Sequence, residues 1–120
     1  MSYFLDSYAL IEIAKGNLNY KKYLDFELFT SIFNLYEFYF ALLRDFDEQV
    51  AKKFFEQFKD RILDIGDECI FKASQFKLDN AKKKFSYADC LGYAIALLHG
   101  IKFLTGDKEF EKLENVEFVK

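Results

Sequence analysis

Four carboxylates in this 120-residue chain stand where solubility alone does not explain an acid. Asp89 is the only charge in Tyr87 to His99, a run of helix length that is otherwise almost wholly apolar. Glu37 is the only charge in the aromatic run from Ile32 to Leu43. Asp6 follows the apolar run Tyr3-Phe4-Leu5, and Asp107 closes Thr105-Gly106-Asp107 after the β-type run Ile101 to Leu104. An ionised carboxylate on a helix buried on most faces costs several kcal/mol unless it is paired or bound to a metal. If the four acids converge, cations must neutralise their repulsion, and an all-oxygen donor set with no nearby histidine or cysteine suits Mg²⁺ or Mn²⁺. Such a site activates water and steadies the charge of an in-line phosphoryl displacement, so metal-dependent phosphodiester hydrolysis is one reading of the spacing. Ser7 and Thr105 place hydroxyls beside the acids, fit to bind a water or a phosphate oxygen. Glu109 can add a ligand or orient a bound water.

A plainer account exists for three of the four. Asp6 and Asp107 are well placed to cap helices, and Ser86-Tyr87-Ala88-Asp89 has the form of a capping box, although glutamate is the commoner last residue. Glu37 has no comparable local role.

The elements that must position these acids follow from periodicity. Tyr3 to Leu5 reads as a strand, then a tight turn, then a helix through Leu10, Ile11 and Ala14 that closes at Gly16. Tyr20 to Phe26 reads as a second short helix and Glu27 to Thr30 as a second strand. Ser31 caps a long helix whose apolar residues cover every face, which predicts burial in the core and in some further contact. Asp47 to Arg61 is an amphipathic helix with Val50, Phe54, Phe55 and Phe58 on one stripe, Ile62 to Ile65 a third strand, and Asp67 to Leu78 another helix, with a loop from Asp79 to Phe85. The apolar helix carrying Asp89 ends at Gly100. Ile101 to Leu104 is the fourth strand, Lys108 to Leu113 a short helix, and Val116 to Val119 the last strand. Strands alternating with helices imply right-handed crossovers, and so an α/β fold in three α/β/α layers around a mostly parallel sheet of four or five strands. The expectation is one domain over residues 1–120. Ligands of such sheets bind beyond the carboxyl ends of the strands, where Asp6 and Asp107 lie.

Composition narrows the function classes. The hydrophobic fraction is 52%, yet no apolar run approaches a membrane span and no basic region precedes Phe4-Leu5. A soluble, unprocessed, cytoplasmic protein without a membrane partner is expected. A net charge of -3 argues against a generally basic nucleic-acid surface. Lys72, Lys77, Lys82, Lys83 and Lys84 nevertheless precede Asp89, with Asp79 the only acid between Lys72 and Ser86. The run reads either as a solvated face or, at Lys82, Lys83 and Lys84, as a surface that tracks a phosphate backbone. Cys69 and Cys90 form no C-x-x-C pair and read as small core residues, and His99, the sole histidine, suits the negative end of its helix.

Four short motifs resemble the PIN-domain family, and in size the VapC-like toxin ribonucleases of toxin-antitoxin pairs. They are F-L-D-S at Phe4 to Ser7, S-x-x-x-L-x-E from Ser31 to Glu37, Y-A-D at Tyr87 to Asp89 with an Ala-rich helix behind it, and F-L-T-G-D-K-E-F from Phe103 to Phe110. The resemblance spans essentially the whole chain, while Arg44 to Phe85 offers no distinctive match. It implies that Asp6, Glu37, Asp89 and Asp107 chelate Mg²⁺ or Mn²⁺, with Ser7 and Thr105 in or beside that shell, and that RNA is cut by hydrolysis. It also implies a homodimer and a cognate antitoxin protein. A non-catalytic RNA- or protein-binding module and a housekeeping RNA-processing nuclease are the alternatives; a flap-type DNA nuclease requires loops and helices for which this chain has no room.

Overall fold

In the computed structural model, which describes residues 1–120, the chain runs β1 (Ser2–Leu5), α1 (Ser7–Ala14), a 3₁₀ segment (Leu18–Asp25), β2 (Glu27–Phe29), α2 (Ile32–Asp45), α3 (Glu48–Phe58), a 3₁₀ turn (Lys59–Arg61), α4 (Asp67–Asp79), α5 (Tyr87–Leu98), β3 (Lys102–Thr105), a further 3₁₀ turn (Lys108–Phe110) and β4 (Val116–Phe118). The four strands form one sheet in the order β2-β1-β3-β4, and every pairing is parallel. From β1 the chain leads to β2 on one side, and from β3 it leads to β4 on the other. The connections diverge between β1 and β3, which opens a crevice beyond the carboxyl ends of those two strands. In register, Leu5 faces Leu104, so Asp6 emerges beside Thr105.

Alternation along the strands sorts the core into two layers. Tyr3, Leu5 and Leu104 face one side, packed with Leu10, Leu35, Phe38 and Phe58 from α1, α2 and α3. Phe4 and Phe103 face the other, packed with Cys69 of α4 and Cys90, Tyr93 and Ile95 of α5. The result is the expected α/β/α sandwich with a parallel sheet.

Helix α5 lies unusually close to that sheet at Gly92. A Cβ there would sit 2.8 Å from a ring carbon of Phe4 and 3.3 Å from Asn34 Oδ1. The Phe4 ring is fully buried and stacked on Phe103 at a centroid distance of 5.8 Å, so it has nowhere to move. Asp89 is one turn earlier on the same face of α5 as Gly92, and the close approach carries it toward the end of β1.

Several expected elements take a different form. Ile62 to Ile65 is not a strand: a single parallel bridge joins Thr30 to Ile62, made by Thr30 N donating to Arg61 O and Leu63 N to Thr30 O, each at 2.9 Å. Asp64 is exposed and Gly66 already caps α4, so the chain leaves the sheet edge at once. The second short helix is 3₁₀, with Tyr20 and Tyr23 buried at its three-residue period. Lys108 to Leu113 shortens to the turn Lys108–Phe110, and Asp47 to Arg61 divides into α3 and a 3₁₀ turn.

Helix α2 departs furthest from expectation, because it is not buried on every face. It buries Asn34, Leu35, Phe38, Ala41 and Leu42, but Ile32, Phe33, Tyr36, Phe40 and Leu43 are exposed. A helix in an outer layer has only one side on the core, and its apolar residues on the far side meet solvent. Cys69 and Cys90 are free, buried thiols, and His99 caps the C-terminus of α5 before Gly100 at φ +64°. No helix is long and apolar enough to cross a membrane.

Candidate metal centre

Asp6 is the deepest acid, 2% exposed. It caps α1, with Oδ1 accepting from Ala9 N at 2.8 Å, while Oδ2 accepts from the Thr105 hydroxyl. Thr105 Oγ1 in turn accepts from Asp107 N at 3.0 Å, so one buried hydroxyl ties the acid after β1 to the acid after β3. Gly106, between Thr105 and Asp107, is required by space: a Cβ would lie 2.5 Å from the Val119 carbonyl oxygen and would collide with the Tyr8 ring.

Asp107 and Asp89 also cap, in line with the plainer account. Asp107 Oδ1 accepts from Glu109 N at 3.0 Å. Asp89 Oδ2 accepts from Ser86 N at 2.8 Å while Asp89 N donates to Ser86 Oγ at 3.0 Å, a complete capping box. Each of these aspartates uses one oxygen for its cap. Asp89 Oδ1 and Asp107 Oδ2 take no hydrogen bond from the protein. Capping and ligation are therefore compatible, since the cap orients the carboxylate and leaves a free oxygen.

Glu37 differs from expectation in its surroundings. It is exposed at the rim rather than stranded in the core, and its Oε1 accepts from Ser7 Oγ at 2.5 Å. Ser7 itself accepts from Asn34 Nδ2 at 3.1 Å. Asn34, 1% exposed, was not singled out from sequence; a neutral amide in an aromatic helix carries no charge signal. Its position three residues after the capping Ser31 and three before Glu37 is the pattern that points to it.

Electrostatics couple the four acids. Burial pushes the Asp6 carboxyl up to about 7; its bonds from Thr105 and Ala9 N oppose this, and repulsion from Asp89 and Asp107 adds to it. Burial likewise raises Asp89, against its two Ser86 bonds, with further repulsion from Asp107 and Glu37. None of the four is in an ion pair. At the same time no group of three or more His, Cys, Asp or Glu side chains is drawn close enough to hold an ion as the side chains stand. An all-oxygen, unneutralised donor set fits a hard divalent cation.

Glu109 reaches the site through its backbone, and its side chain is exposed. Lys82, Lys83 and Lys84 are all exposed, and Lys83 Nζ donates to Glu109 O at 2.9 Å and so clips the loop before α5 to the turn after Asp107. Two apolar grooves run along α2. One of about 450 Å³ runs between α2 and α3, lined by Ile32, Tyr36, Tyr39 and Phe55, and one of about 400 Å³ borders Glu37 along Tyr36 and Phe40.

A parallel α/β sandwich with Asp6 and Asp107 standing just past its two central strands is the class these observations define. The chain belongs to the PIN domain family, which matches it over residues 3–116. Among curated proteins none matches significantly. Solved structures share the fold at low identity. A chain of a toxin-antitoxin complex from Klebsiella pneumoniae is 19% identical with a TM-score of 0.77, covering 96% of this chain and 95% of that one. A chain of VapBC2 from Rickettsia felis, bound to a DNA fragment from its promoter, is 17% identical with a TM-score of 0.77, over 99% and 98%. VapC20 from Mycobacterium tuberculosis, a toxin that cleaves the sarcin-ricin loop, is 13% identical with a TM-score of 0.75, over 91% of each chain.

Proposed function

We propose that this chain is a Mg²⁺- or Mn²⁺-dependent endoribonuclease, the toxin of a toxin-antitoxin pair. The observation that supports it most is the mutual repulsion of Asp6, Asp89, Asp107 and Glu37 around the switch point, with no cation among the side chains to relieve it. A divalent ion, when bound, supplies charge neutralisation at phosphate and a more acidic water. Asp6, Asp89 and Asp107 are the residues that would hold it, with Glu37 closing the rim. Ser7 and Thr105 keep the carboxylates aimed, and the Glu109 side chain would add a ligand or orient a bound water beside Asp107. Lys82, Lys83 and Lys84, on the loop before α5, hold the RNA backbone. The exposed apolar face of α2 suits a second copy of the chain or a cognate antitoxin, and the matched structure from Klebsiella pneumoniae is itself a toxin-antitoxin complex. Such a pair works in the cytoplasm, with residues 1–120 as one nuclease unit.

The test is incubation of RNA with the protein and Mn²⁺, followed by mapping of the new ends. Defined internal cuts are expected, and none with Asp89→Asn. Millimolar Mn²⁺ is expected to raise the melting temperature, since an ion at about 100 times its Kd adds about 2.7 kcal/mol to the folded state.

A second reading, a PIN fold that holds RNA or a protein without cutting, is favoured by one observation. The three aspartates already serve as caps, and no three acids are gathered as they stand. Uncut RNA together with a melt indifferent to Mn²⁺ decides for that reading. Cleavage confined to precursor RNAs, with no antitoxin gene adjacent, instead indicates a housekeeping processing nuclease.

A further inference from the structure

We infer that Asn34 is a positioning residue for Glu37, acting through the Ser7 hydroxyl; the inference rests on the metal-site reading above. One hydrogen bond in the chain of contacts has a direction that is beyond choice. The backbone N–H of Asn34 donates to Ser31 Oγ at 3.2 Å, so Ser31 accepts there. The single Ser31 proton is then free to reach the nearest acceptor, Asn34 Oδ1 at 2.6 Å. With Oδ1 on that side, the amide NH₂ must face Ser7, and Nδ2 donates to Ser7 Oγ at 3.1 Å. Ser7 therefore accepts from Asn34, and its own proton goes out to Glu37 Oε1.

The relay runs one way, from the cap of α2 to the carboxylate at the rim. Its consequence is geometric. Glu37 is an exposed side chain with three rotatable bonds, and without an anchor it would sample solvent. The relay holds Oε1 on the side of Ser7, adjacent to Asp6, and leaves Oε2 for an incoming cation. Burial makes the device rigid: Ser31 and Asn34 are 0% and 1% exposed, and a Cβ added at Gly92 of α5 would stand 3.3 Å from Asn34 Oδ1.

The test is calorimetric titration with Mn²⁺ alone, on Asn34→Leu, Ser31→Ala and Glu37→Gln, each confirmed as folded by its melt. Asn34→Leu keeps the volume and deletes both ends of the amide, and it is expected to weaken Mn²⁺ binding about tenfold. In a Glu37→Gln background the same substitution is expected to have no further effect, because the residue through which it acts is already lost. A purely structural contribution of Asn34 would weaken binding equally in both backgrounds, and that result overturns the inference. If Asn34→Leu does not fold, Ser31→Ala decides: it removes the proton that orients the amide, and a several-fold loss in the wild-type background but not in the Glu37→Gln background supports the relay. Undiminished binding in both variants overturns this inference alone. A folded wild-type chain that takes up no Mn²⁺ overturns the metal-site reading and this inference with it.

Discussion

Replacing Asp6 by asparagine is expected to lower Mn²⁺-dependent RNA cleavage by about 10²–10³-fold, and in metal-free buffer at pH 8 to make the folded chain more stable. Both effects have one cause. Burial raises the folded-state carboxyl from 3.8 to about 7. Below the unfolded value, near 4, Asp6 is protonated in both states and burial is not penalised. As the pH rises toward 7 the unfolded chain ionises freely while the folded chain resists, so stability falls across that window and levels off above it. The difference between the two values corresponds to about 4 kcal/mol, an upper bound on the effect. Asparagine carries no charge and removes the Asp6 share of the slope, while Asp89, also raised by burial, keeps its own. It recovers less than the full amount, because the Thr105 proton loses Asp6 Oδ2 as its acceptor. Denaturant titrations at pH 5 and pH 8 with a chelator check this: a wild type as stable at pH 8 as the variant would show that Asp6 is not held at a disadvantage. A divalent cation reverses the sign, since it binds the ionised form, and its affinity is expected to drop as the pH is taken below 7.

Gly92→Ala is expected to destabilise the protein by up to about 2 kcal/mol, against the usual sense of a glycine-to-alanine change within a helix. Propensity alone favours alanine by about 1 kcal/mol, whereas overpacking a full core costs about 1–3 kcal/mol. The added methyl meets Phe4 at 2.8 Å, and that ring is locked against Phe103. Gly92→Val, larger and branched, is expected to lose more than 3 kcal/mol, about the top of that range. Because α5 must back away to admit the side chain, Asp89 retreats with it, so Gly92→Ala should weaken Mn²⁺ uptake even where it folds. Urea denaturation measures the first effect; a variant as stable as wild type would mean that α5 tolerates a wider gap than the geometry allows.

Much of this architecture was legible in the residues. The apolar runs at Tyr3-Phe4-Leu5 and Phe103-Leu104 mark the two central strands, and Gly100 marks the end of α5. The acids at 6, 89 and 107 were visible because each borders an apolar run, and the structure puts each at a helix or turn start. Capping and ligation looked like alternatives in the sequence, and at Asp89 and Asp107 the second carboxylate oxygen makes them compatible. What stayed hidden has physical reasons. The face of α2 that meets solvent carries Phe33, Tyr36 and Phe40 and is more aromatic than the one that meets the core, so composition did not mark it as exposed. Ile62 to Ile65 has the composition of a strand but lies where the chain must turn at once into α4. Asn34 was silent because hydrogen-bond direction, not charge, gives it a role.

The pairing of β1 with β3 has a consequence for when the protein becomes competent. Asp6 and Thr105 are 99 residues apart, so the crevice they share does not exist until β3 has formed and has reached back to the first strand. Contacts of such long sequence separation cost loop entropy before they return any stabilisation, and they form late. A chain whose third strand has not yet docked thus carries half a crevice, without the bond that ties Asp6 to Thr105.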